Sequence, residues 1–229
     1  SGTTYGLLPR KVIALGLNYR AHIKESASVK VRGFDQNEPD EPILFPKLPS
    51  AIIGPDQPIV IPAILGDYSF PEERTDYEGE LAVVIGEGGR DIGVDTAMEH
   101  VLGFTCANDV SQRNIQNADR SGWFRGKSFD TFLPIGPRIV PRAEIADVQN
   151  LSLQTRLNGT VVQEGNTGQM IFPVAETIAF ISRNFTLEAG DIILTGTPSG
   201  VGPIRHGDTV AVEIELIGTL TNTVMDSRR

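Results

Sequence analysis

Asp76-Tyr77-Glu78-Gly79-Glu80 runs directly into Leu81-Ala82-Val83-Val84-Ile85, and this passage decides how the chain is read. Its second half is apolar and β-branched, the composition of a buried strand. Acidic residues enter the first half at alternate positions. In a strand, residues i and i+2 project from one face, so Glu78 and Glu80 point the same way with only Gly79 between them. Two carboxylates on one face repel each other and resist burial unless a proton or a cation compensates. A hard divalent ion such as Mg²⁺, which prefers oxygen ligands, is the simplest answer. A solvated acidic strand end is the other reading the pattern allows.

A third oxygen ligand should stand at the end of another apolar strand. Asp109 does so, closing Gly103-Phe104-Thr105-Cys106-Ala107-Asn108. Three carboxylates leave open positions in an octahedral shell for water and substrate. Asp109 also suits a helix N-cap. If a helix begins there, Arg113 and Gln116 follow at i+4 and i+7 on its face, where a guanidinium and an amide fit a carboxylate or a ketone. Lys127 lies among aromatics and glycine in Trp123-Phe124-Arg125-Gly126-Lys127-Ser128-Phe129, placed to neutralise an enolate or carboxylate, or to snorkel. His22 and Glu25 stand at i, i+3 after the N-cap candidate Asn18, a spacing that makes either a carboxylate-oriented general base or a surface pair. Thr195-Gly196-Thr197-Pro198-Ser199-Gly200 follows a strand, and its freed amides suit an anionic group. It lacks a Walker lysine and does not form G-x-S-x-G.

The rest of the chain sets the frame. Twenty-four glycines and fifteen prolines scattered over 229 residues predict many short strands, so the fold class is α+β, mainly β, with a few short helices. Asn158-Gly159 predicts a tight hairpin, and Val174, Ile178 and Ile181 predict a helix over 174–183. Ile43-Leu44-Phe45-Pro46-Lys47 reads as an edge strand because of its proline. Residues 1–42 read as an N-terminal strand plus a lid segment, Ser26 to Pro42 being the lid loop, and 43–229 as the catalytic domain. A formal net charge of −9 argues against nucleic acid and anionic membranes as partners. One cysteine, Cys106, excludes a disulfide framework. With no membrane-length apolar stretch and no signal peptide in the sequence, a cytoplasmic or organelle-matrix enzyme is expected.

Taken in order, Gly16-Leu17-Asn18-Tyr19-Arg20-Ala21-His22-Ile23-Lys24-Glu25, Pro42-Ile43-Leu44-Phe45, Asp76-Tyr77-Glu78-Gly79-Glu80-Leu81, Asn108-Asp109-Val110-Ser111, Lys127-Ser128-Phe129-Asp130 and Gly190 to Pro198 resemble the fumarylacetoacetate hydrolase superfamily, in its acylpyruvase, oxaloacetate decarboxylase and hydroxyhepta-dienedioate isomerase branch. The resemblance implies that family's β-roll or sandwich with an N-terminal lid, and a homodimer. It implies Mg²⁺, with Mn²⁺ or Ca²⁺ as alternatives, on Glu78, Glu80 and Asp109. It places the lid dyad on His22 and Glu25, the active-site lysine on Lys127, and substrate contacts on Arg113, Gln116 and Thr197. The implied reaction is hydrolysis of a C–C bond in a 1,3-diketo acid of acylpyruvate type, through a metal-bound enolate. Oxaloacetate decarboxylation or dienedioate isomerisation at the same site is the nearest rival, and a noncatalytic metabolite-binding module the distant one. Ser26 to Pro42 is longer than the lid of the compact relatives.

Overall fold

A computed structural model describes residues 8–25, 37–118 and 123–229. In chain order the strands are β1 (Val12–Gly16), β2 (Ile43–Lys47), β3 (Ile52–Ile53), β4 (Ile59–Ile61), β5 (Thr75–Tyr77), β6 (Gly79–Ile85), β7 (Val101–Asn108) and β8 (Ser111–Gln112). They continue as β9 (Leu133–Pro141), β10 (Ser152–Leu157), β11 (Thr160–Asn166), β12 (Ile192–Leu194), β13 (Gly202–Pro203), β14 (Thr209–Ile214) and β15 (Gly218–Asp226). The α-helices are α1 (Arg20–Glu25), α2 (Arg113–Ala118), α3 (Phe124–Lys127) and α4 (Val174–Asn184).

The apolar run that opened the sequence is β6, and all seven of its residues are buried. It lies centrally in a seven-stranded sheet of order β2-β1-β12-β6-β7-β9-β3. Both faces of that sheet are covered, which is why β6 reads as continuously apolar rather than alternating. Leu81, Val83 and Ile85 enter one core with Leu153, Val212 and Ile214 of the second sheet and with Val174, Ile178 and Ile181 of α4. Ala82 faces the opposite core, with Phe45, Leu133 and Leu194. Each large side chain buried in this way contributes roughly 1.5–3 kcal/mol relative to exposure. The second sheet has five strands in the order β11-β10-β14-β15-β4, and a small third sheet joins β13, β5 and β8.

Local chemistry explains the connections. Asn158 (φ 51°) and Gly159 (φ 83°) form the expected hairpin turn between β10 and β11. β2, with Pro46, is the edge of its sheet. The expected N-cap role of Asn18 is not seen. Its amide bridges two loops instead, donating to Phe172 O at 3.1 Å and Thr195 O at 2.8 Å and accepting from Phe172 N at 2.8 Å. Asp109 does not open a helix either. The chain passes through β8, paired with β5, before α2 begins at Arg113, because residues 111–112 complete the small sheet. Of the expected lid loop, residues 26–36 lie outside the described residues; beyond them, Glu38 forms a two-bond ion pair with Arg20 of α1.

Candidate active site

The strand register assembles the acidic cluster. β6 and β7 are antiparallel, with Gly79 opposite Asn108 and Glu80 opposite Ala107. Glu78 stands at the break between β5 and β6, where its N–H donates to Asn108 Oδ1 at 2.9 Å and its carbonyl accepts from Asp109 N at 2.8 Å. Asp109 is thereby fixed beside Glu78, and Glu80 follows at i+2 on the same face. One carboxylate oxygen from each of Glu78, Glu80 and Asp109 lies within 4.8 Å of the others, and all three residues are buried. Gly79 is required for this arrangement: a Cβ there would lie 2.1 Å from Thr155 Oγ1 of the second sheet.

Cations converge on the same carboxylates. Lys127 Nζ donates to Glu78 Oε2 at 2.6 Å and to Asp109 Oδ2 at 2.8 Å. Arg113 donates Nη2 to Glu78, Nε to Asp76 Oδ2 at 2.8 Å and Nη1 to Gln116 Oε1 at 3.0 Å. Lys47 binds Asp109 Oδ1 from the end of β2. Burial opposes ionisation of Glu78, but Arg113 and Lys127 overcome it and hold the carboxyl below its usual range. Glu80 is different. It accepts one backbone N–H, from Gly196 at 2.8 Å, and makes no ion pair among the described residues. Burial, with Asp109 and Glu78 adding repulsion, pushes its carboxyl well above the usual range. A buried carboxylate cluster with one member lacking a cation, built wholly of hard oxygen donors, fits a divalent metal ion. A partly open cavity of about 20 Å³ lies beside Glu78 and Glu80.

His22 and Glu25 lie on α1, with His22 Nδ1 3.3 Å from Glu25 Oε1. The same oxygen accepts from Gly200 N at 2.7 Å. Burial raises the Glu25 carboxyl, yet the bonds from His22 and Gly200 outweigh it and leave the group below its ordinary value. His22, Glu78, Glu80, Arg113, Lys127 and Thr197 line one cavity, which Gln116 also borders, so the structure brings the sequence-predicted residues together. The glycine-rich loop spends its amides on the chain's own carboxylates: Gly196 on Glu80 and Gly200 on Glu25.

Three residues of the site were not read from the sequence. Lys47 is fully buried, and its signal was period 2: Phe45 and Lys47 share the buried face of β2. Asp76 alternates with Glu78 and Glu80 but does not join them; it holds Arg113 and Arg74. Gln163 is buried on β11 beside two exposed or half-buried valines, an inversion of the expected pattern.

Residues 11–225 match the fumarylacetoacetate (FAA) hydrolase C-terminal family. The chain belongs to that family. Human oxaloacetate tautomerase FAHD2A, mitochondrial, is 45% identical over 226 residues, covering 95% of this chain and 67% of the relative. The crystal structure of 5-carboxymethyl-2-hydroxymuconate delta-isomerase from Mycobacterium smegmatis superposes with a TM-score of 0.82 at 42% identity, covering 96% of this chain and 80% of that one. Fumarylpyruvate hydrolase from Pseudomonas aeruginosa, solved with Mn²⁺ and pyruvate, gives 0.86 at 32% identity, covering 99% and 94%. The family's members are enzymes acting on keto acids, and this chain is one of its enzymes. No helix among the described residues is long and apolar enough to cross a membrane.

Proposed function

We propose that the protein is a divalent-metal-dependent enzyme that moves a proton at the carbon next to the keto group of a small 2-keto acid. The observation that carries this reading is the buried cluster of Glu78, Glu80 and Asp109, in one cavity with a carboxylate-oriented imidazole and two cations. Glu78, Glu80 and Asp109 would hold the metal, Mg²⁺ or Mn²⁺. Bound there, it would supply Lewis-acid polarisation of the keto oxygen. Glu25 faces His22 Nδ1, which fixes the tautomer with the proton on Nδ1 and leaves Nε2 as the base. His22 Nε2 takes the proton from carbon, and the Lys127 ammonium stabilises the negative charge that develops on the keto oxygen. Arg113 and Gln116 orient the substrate carboxylate. Returning the proton to oxygen completes a keto–enol tautomerisation of the oxaloacetate type, the outcome supported by the 45% identity to the human tautomerase.

A second reading is supported by the likeness to fumarylpyruvate hydrolase. There His22 Nε2 deprotonates water, which attacks the distal carbonyl of an acylpyruvate, and the C–C bond breaks to give a carboxylic acid and pyruvate. The deciding assay offers oxaloacetate, an acylpyruvate and a 2-hydroxydienedioate with Mn²⁺ and with EDTA. Accelerated enol–keto conversion of oxaloacetate, lost in EDTA, is the expected result. Pyruvate release from the acylpyruvate alone would favour hydrolysis, and no metal-dependent turnover of any of the three would sink both.

A further inference from the structure

β11 is an edge strand of the five-stranded sheet, and its most buried residue is an amide. Val161 is exposed while Gln163 is 1% exposed. A register break opposite Thr155 and Arg156, with Gln163 paired to Thr155 and Val161 to Arg156, leaves Val162 as the extra residue of a bulge. The bulge aims the Gln163 side chain between the two sheets.

There the amide is almost fully used. Gln163 Oε1 accepts from Gly79 N at 3.0 Å, and Nε2 donates to Thr197 Oγ1 at 2.8 Å and to Pro198 O at 2.9 Å. Its orientation is unambiguous, because Gly79 N–H can only donate and Pro198 O can only accept. Thr197 Oγ1 donates to Gly79 O at 2.9 Å, which closes a ring of three residues. The Thr197 hydroxyl proton is therefore committed within the protein, and only a lone pair remains for a ligand. Gly79 is the residue between Glu78 and Glu80. The loop carrying Thr197 and Pro198 also supplies Gly196 N to Glu80 and Gly200 N to Glu25. Gly200 sits on β11 so closely that a Cβ would lie 2.1 Å from Val162 O, with φ +95°.

We propose that Gln163 is a positioning residue of the active site: by tying Gly79 to the 196–201 loop it sets the spacing of Glu78 and Glu80 and holds the anchor of the His22–Glu25 pair in register with them. The proposal rests on the functional reading above, and on these bonds it makes Gln163 act through backbone rather than on substrate. Removing the amide leaves Gly79 N–H and Pro198 O buried without partners, and loss of such outer partners costs about 10–100-fold in metal affinity or activity.

The test compares wild type, Q163L, T197V and the double variant for Mn²⁺ affinity by titration calorimetry, kcat and KM for the substrate identified, and Tm. Q163L is expected to bind Mn²⁺ about tenfold more weakly and to lose kcat more than it raises KM, and adding T197V should weaken Mn²⁺ binding little further, since the ring acts as a unit. Should Q163L fail to fold, Q163N keeps the amide but is one methylene too short to span Gly79 and Pro198, and the same losses are expected. Wild-type Mn²⁺ affinity and kcat in a folded Gln163 variant, with only Tm lowered, would overturn the proposal and leave the functional reading intact. A wild-type protein that binds no Mn²⁺ would overturn the reading itself and the proposal with it.

Discussion

Lys47, fully buried at the end of β2, donates its ammonium to the Asp109 carboxylate from beneath the acidic cluster. Asp109 is thereby divided between two cations, Oδ1 to Lys47 and Oδ2 to Lys127. Burial disfavours the charged lysine and Lys127 adds repulsion, while Asp109 opposes both; the net effect lowers the Lys47 pKa. Such a pair is a poor source of stability in itself, and removing Lys47 leaves Asp109 Oδ1 without its cation while Oδ2 keeps Lys127.

Lys47→Met should therefore cost about 1–3 kcal/mol of folding stability, the penalty for a buried acceptor left without its partner. Urea unfolding followed through Trp123, the one tryptophan and an edge-on neighbour of Phe45 at 5.4 Å, reports it. A midpoint shift within the error of an exposed variant such as Glu164→Gln would mean that Lys47 does not compensate Asp109.

The three carboxylates should behave as one ligand set. Glu78→Gln, Glu80→Gln and Asp109→Asn are each expected to weaken Mn²⁺ binding at least tenfold, whereas Asp76→Asn should act mainly through Arg113 and weaken it less. Titration calorimetry on the four variants decides this. Equal losses at Asp76 and Glu80 would show that proximity of charge, not ligation, sets the affinity.

Cys106 gives a pH-dependent prediction away from the site. It is 0% exposed in the main core, with Sγ 3.4 Å from Gly218 O, and burial pushes its thiol up to about 12 from 9.0. The folded value lies above the unfolded one, so the thiol's contribution to stability is complete below pH 9 and is lost as pH rises toward 12. At pH 9 the native protein should resist iodoacetamide, and the same reagent should label it fully in urea. Labelling of the native protein at the rate of a free thiol would contradict the burial.

The sequence made legible what short-range rules govern. The alternation of Glu78 and Glu80, the Asn158-Gly159 turn, the apolar face of α4 and the proline of the edge strand β2 all appear as expected. What it hid depends on pairing between distant segments. Lys47 and Asp109 are 62 residues apart, and Gly79 and Gln163 are 84 apart, so no local pattern marks either contact. Asn18 suits a helix cap, and Asp109 suits a cap as well as a metal ligand; tertiary partners take both side chains away from capping.

The His22–Glu25 pair separates catalysis from metal binding. Its spacing was readable as a helical i, i+3 contact, but its anchor, Gly200 N on Glu25, comes from a loop 175 residues away. His22→Ala should lower kcat about 10²–10⁴-fold, the usual worth of a general base, while Mn²⁺ affinity stays within a few-fold of wild type. Glu25→Gln should lower kcat less and leave a protein that still folds, since its amide can still accept from Gly200. Because Glu25 is held below the ordinary carboxylate range, it stays ionised from there upward. Full activity in His22→Ala would remove the imidazole from the reaction and leave the acidic cluster to be explained without it.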